Sequence, residues 1–253
     1  MNDTLTLSLF GNIPLRLFTT AIRQFDLLVK ELTAEAAGSE AAIQWDVSHL
    51  RSGSATIQVR GLSDDFDALE RAVRGYDAIG EALERHEPIP FSAAVQRPVY
   101  ALAGLLNGHI TALALASDDK THNVTSPVTE DEVEQPARWA TSWGILRGEV
   151  GAIAKRPSLQ FTLYDSVFDR AVACYLTKEN EQIAREIWGK EVAVTGFIYR
   201  RADDGRPIRI RNIASVEQVS QASGDIRQAR GALPWRHGDE FPEEIIRRWR
   251  RVS

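Results

Sequence analysis

Alternation opens the chain. In TLTLSLF, Leu5, Leu7 and Leu9 share one face with polar residues between them, which predicts a half-buried strand. From Pro14 the period lengthens. Leu15, Phe18, Ile22, Phe25, Val29 and Leu32 recur at spacings of three and four, the stripe of an amphipathic helix. Pro14 suits its first turn, where a missing N–H costs nothing. Two more alternating runs follow, Ile43, Trp45, Val47 and then Ala55, Ile57, Val59, with SHLRSGS between them as a hairpin loop. Asp64 or Ser63 is placed to cap a second helix that carries Phe66, Leu69, Val73, Tyr76 and Leu83. A third helix is expected over residues 91–106 with a kink at Pro98, and ITALALA supplies a fourth strand. The fold class is therefore α+β. Residues 1–117 read as a two-layer α/β sandwich with a four-stranded sheet.

The periodicity stops at SDDKTHNVTSPVTEDEVEQPARWATS, which is polar, acidic and interrupted by two prolines. Residues 118–141 read as an acidic linker. Through residues 142–219 the order becomes β-β-β-α-β-β. The first strand runs from Trp143 to Ala154, where Gly148 and Gly151 permit a bulge. The next two place Leu159, Phe161, Leu163 and then Val172, Cys174, Leu176 inward. The helix KENEQIAREIWG is capped by Thr177 and stopped by Gly189. A hairpin follows and buries Val192, Val194, Ile198, Ile208 and Ile210. The tail, residues 220–253, ends in a basic amphipathic helix. Pro242, Glu243 and Glu244 stand at its start and arginines at its end, the order the helix dipole favours.

Three strands, a helix and two strands in residues 142–219, the strand-one glycines, and the run GKEVAVTGFI together resemble an OB-fold barrel. Residues 1–117 carry no such resemblance. The resemblance implies oligonucleotide or oligosaccharide binding through strands two and three and the loops joining strands one to two and four to five. By position, Lys155 and Arg156 fall in the first loop, Arg201 and Arg206 in the second, and Tyr164 and Tyr175 on the strands between. The hairpin adds Phe197, Tyr199, Arg209 and Arg211 on one face. Aromatic rings interleaved with arginines suit single-stranded nucleic acid, because bases stack on the rings while guanidinium groups meet phosphates. The expected nucleic-acid contacts are Lys155, Arg156, Tyr164, Tyr175, Tyr199, Arg201, Arg206, Arg209 and Arg211. In the tail, Phe241, Ile245 and Trp249 are the expected anchors for a protein partner. The competing reading is a protein-interaction or regulatory subunit. In it Phe197 and Tyr199 pack against residues 1–117, and Arg209 and Arg211 pair with Asp203 and Asp204.

Composition narrows the function classes. The chain has 253 residues and a formal charge of -5, with the acidic excess in its first half. The second half is close to neutral, so a nucleic-acid role would rest on a local patch. His49, His86, His109, His122 and His237 include no pair at helical ligand spacing. Phosphate-binding loops, dinucleotide fingerprints and nucleophile elbows are absent, and Cys174 alternates inward. The expectation is a non-enzymatic binding protein with no cofactor, metal or catalytic residue. No run approaches 18 apolar residues, and MNDTLTLSLF lacks the basic start of a signal peptide. With one cysteine and no internal disulfide, a cytoplasmic location without membrane contact is expected.

Overall fold

In a computed structural model, residues 3–36, 43–51, 55–106, 108–129, 139–154, 159–176, 183 and 186–219 are described. Cα proximity divides the chain into Met1–Val219 and Ser220–Ser253, and the description below concerns the first unit. The elements are β1 (Thr4–Gly11), α1 (Leu15–Ala36), β2 (Gln44–Arg51), β3 (Ala55–Leu62), α2 (Phe66–Glu84), α3 (Ala93–Ala103), β4 (Ile110–Ser117), β5 (Thr121–Val124), β6 (Trp139–Ala154), β7 (Gln160–Asp165), β8 (Ala171–Tyr175), β9 (Glu191–Arg201) and β10 (Pro207–Gln218). The class is α+β, as the patterns predict.

The first sheet has the order β2-β3-β1-β4-β5. Its central strand, β1, is the alternating run that opens the chain. Leu5, Leu7 and Leu9 are buried against Phe25, Leu28, Leu32, Tyr76 and Ile79 of α1 and α2. The Tyr76 hydroxyl, which burial would otherwise strand, donates to the Thr6 carbonyl (2.9 Å). The expected four strands are five. Thr121–Val124, inside the stretch expected to be a linker, pairs with β4, and Val124 and Val128 enter the core. Its four residues give too short a period to stand out in a polar segment. Two cap and stripe expectations also change. Asp65 rather than Asp64 or Ser63 caps α2, accepting from the Ala68 N–H (2.9 Å). Leu15, Val47 and Phe66, each on a predicted apolar stripe, are exposed.

The second sheet pairs β6–β7, β7–β8, β8–β10, β10–β9 and β9–β6, so its five strands return to the first and close a ring. The β8–β10 pair is parallel and the others are antiparallel. Inside the ring lie Phe161, Leu163, Val172, Cys174, Val192, Val194, Ile198 and Ile210, as the alternation predicts, together with Val150; Ile208, also predicted inward, is buried outside this cluster. Burial pushes the Cys174 thiol up, which keeps it a neutral packing group. The expected helix over residues 178–189 lies largely outside the described residues, although Ile183 and Ile187 pack on the ring core.

One long strand joins the two cores. β6 pairs with β9 through Glu149 and with β7 from Gly148 onward, with an irregularity between Val150 and Ala152. Ala152 belongs to the first core although its strand belongs to the ring. A Cβ on Gly148 would lie 2.0 Å from the Tyr164 carbonyl oxygen, a backbone atom that cannot swing away. Gly148→Ala is therefore expected to destabilise the protein by about 1–3 kcal/mol. Its denaturation midpoint would fall well below that of Arg147→Ala, an exposed neighbour, in a urea titration.

Candidate functional site

The outward face of β7, where the barrel resemblance places a ligand, is closed. Gln160, Thr162 and Tyr164 are all buried. The Thr162 hydroxyl donates to the Pro90 carbonyl (2.6 Å). Tyr164, 4% exposed, lies under Arg74 of α2, whose guanidinium carbon sits 3.8 Å from the ring centroid. Arg74 in turn donates to Glu149 (3.0 Å) and Asp169 (2.6 Å), one carboxylate on β6 and one beyond β7. Tyr164 was expected as a stacking platform; the structure makes it an interior contact between helix and ring. Gly151 leaves room for it, since a Cβ there would approach the Tyr164 ring to 2.3 Å.

The β9–β10 turn differs from expectation for an electrostatic reason. Glu87, which follows α2, is 9% exposed, and one of its oxygens accepts from both Arg201 Nη1 (2.7 Å) and Arg206 Nη2 (2.7 Å). Arg201 also donates from Nε to Asp203 (2.8 Å), and Arg206 from Nε to Asp204 (2.5 Å). Two guanidinium groups thus face three carboxylates. Arg201 and Arg206, expected to meet phosphates, are already neutralised, and Arg206 is buried. Hydrogen bonding to Arg201 holds the Asp203 carboxyl down at about 2.

What stays open is the face shared by β6, β9, β10 and the end of β8. Trp143 pairs with Phe197 across β6–β9, and Phe197 with Arg211 across β9–β10. The Trp143 and Phe197 rings meet edge to face, with centroids 5.0 Å apart. Both reach solvent, at 54% and 40% exposure. Arg211, exposed, lies over Tyr175 at 4.9 Å. Arg209 lies over Tyr199 at 4.9 Å and is itself 8% exposed, so it braces the tyrosine more than it presents charge. Of the nine expected nucleic-acid contacts, Tyr175, Tyr199, Arg209 and Arg211 are thus brought together with Trp143 and Phe197. Lys155, Arg156, Phe241, Ile245 and Trp249 lie outside the described residues.

Trp143 is the residue that sequence reasoning omits. Ala140, Thr141 and Ser142 before it are exposed as well, so no alternation singles it out. The register that sets it opposite Phe197 is long-range and leaves no local trace. Among the described residues, no group of three or more His, Cys, Asp and Glu side chains could hold a metal ion. No helix there is long and apolar enough to cross a membrane. Comparison with family models, curated proteins and solved structures gives no match for this chain.

Glu87→Gln takes the shared carboxylate from buried Arg206 and half-buried Arg201, each of which keeps its aspartate, so a loss of about 2 kcal/mol is expected by chemical denaturation. The Asp203 pairing carries its own pH signature. Its carboxyl is depressed in the folded state, so the stabilisation is present above pH 3.8 and is lost as pH falls toward 2. Asp203→Asn should therefore flatten the stability profile in that window while leaving its shape near neutrality.

Proposed function

We propose that this protein is a non-enzymatic binding protein whose five-stranded ring is OB-fold-like and contacts single-stranded nucleic acid on its open face. Ring order and the parallel β8–β10 pair support the first part, together with a long first strand coiled at two glycines. The observation that carries the second part is the run Trp143–Phe197–Arg211–Tyr175, three exposed side chains and a half-buried tyrosine, adjacent by strand register and ring contact. Bases stack on the indole and phenyl rings, and Arg211, whose guanidinium lies over Tyr175, meets a phosphate. With Arg201 and Arg206 neutralised, the patch has few cations to spare, so binding depends on stacking more than on charge and varies weakly with salt. A cytoplasmic site of action accords with the single buried thiol.

A protein-interaction or regulatory role is the second reading. Ile145, 61% exposed and one step beyond Trp143 on the same face, favours it, because an aliphatic side chain offers a base less than an aromatic one does.

Fluorescence anisotropy with labelled dT12 and rU12 tests the first reading. Trp143→Ala and Phe197→Ala are each expected to weaken binding about tenfold. Arg211→Ala should lower the slope of log affinity against log salt by about one. Arg201→Ala should leave that slope unchanged, because its charge is already compensated. Absence of binding to either oligomer at low salt would overturn the reading in favour of a protein partner.

A further inference from the structure

The first sheet ends differently at its two edges. β5, four residues long, lies against α2, where His122 fills the space beside Gly80. β2, eight residues long, has no strand on its outer side. Such an edge offers backbone N–H and C=O groups to another strand, and lysine or proline commonly blunts it; β2 contains neither. Val47 and Leu50, three positions apart, would point to opposite sides of a regular strand. The irregularity between Val47 and His49 removes that difference. Trp45, Val47 and Leu50 stand opposite Gly61, Val59 and Ile57 of β3, and Val59 and Ile57 belong to the core beneath the helices. All three apolar side chains of β2 are thus on the helix side of the sheet. The indole N–H of Trp45 is tied to α1, donating to Thr33 Oγ1 (3.0 Å). Val47 and Leu50, at 62% and 60% exposure, are not covered.

Between β2 and α1 runs a groove of about 440 Å³, floored by Trp45, Val47, Ile57 and Val59. Its α1 wall presents Arg23 and Asp26, three positions apart and both exposed. Among the described residues neither is in an ion pair. One cation beside one anion is a self-complementary arrangement. A two-fold axis normal to the sheet, passing beside β2, sets two β2 strands antiparallel and keeps both helical layers on the same face. The two copies of α1 then run in opposite directions across the joined groove, so Arg23 of each faces Asp26 of the other. The same axis brings Val47 and Leu50 of both copies together on the groove floor. We propose that β2 is the seam of a homodimer, in which two copies of this chain join their first sheets edge to edge and close the groove between their α1 helices.

Sedimentation velocity of the full chain, at concentrations up to about 100 µM, tests this. A species of two chain masses is expected. Val47→Lys puts a charge on the seam without touching the core, and should weaken the dimer by about tenfold or more. Val167→Lys, at an equally exposed apolar position beyond β7, should leave it intact. The charge pairing has a test of its own. Arg23→Asp and Asp26→Arg should each weaken the dimer, and the double variant, which restores opposite charges across the axis, should recover it. Amide hydrogen exchange at low and high concentration locates the seam, with slower exchange over residues 44–51 in the dimer. A monomer at every concentration would overturn the proposal and leave the groove to a different protein. A dimer that Val47→Lys does not weaken, a double charge variant no better than the single ones, or unchanged exchange over residues 44–51 would overturn it as well.

Discussion

One carboxylate oxygen of Glu87 holds two guanidinium groups, and much of the molecule's arrangement depends on that contact. Arg201 and Arg206 stand at either end of the β9–β10 turn, and Glu87 follows α2, so the contact joins the turn to the helical layer. A buried anion with a single cation would carry a desolvation cost that the pairing only partly offsets; two cations and flanking aspartates compensate it more fully. Arg74 makes the complementary contact from the helix side, reaching Glu149 and Asp169 while covering Tyr164. Together the two clamps set the β7 face of the ring against α2 and the segment behind it.

That closure decides which surface is left for a ligand. A five-stranded ring has several faces, and the resemblance to OB-fold barrels points to β7, β8 and the flanking loops. Here the β7 part is occupied by the protein's own helical layer. The part of the ring left open lies on β6, β9 and β10, where Trp143 and Phe197 are exposed and arginines lie on half-buried tyrosines.

Much of the fold was legible because its signals are local. The leucine alternation of β1, the stripe of α1 and the inward sets of β7 to β10 all appear within a few residues of sequence. The glycines of β6 announced the irregularity that the strand contains. What could not be read was long-range. Glu87 sits 114 positions from Arg201, and nothing in its neighbourhood marks it as the partner of two arginines. The outward set of β7 looked like solvent-facing residues because Gln160 and Thr162 are polar, yet the Thr162 hydroxyl is satisfied by a carbonyl 72 residues away. Trp143 gained its meaning only from its strand register. The site was thus half legible: the aromatic and arginine content was visible, and which members remain exposed was not.

Hydroxyl-radical footprinting, with and without dT12, tests the division into a closed and an open face most directly. Trp143, Phe197 and Tyr199 should be oxidised in the free protein and protected by the oligomer, with Tyr164 untouched in both states. Oxidation of Tyr164 in the free protein, with protection of Tyr164 in place of Trp143 and Phe197 on adding the oligomer, would contradict the account.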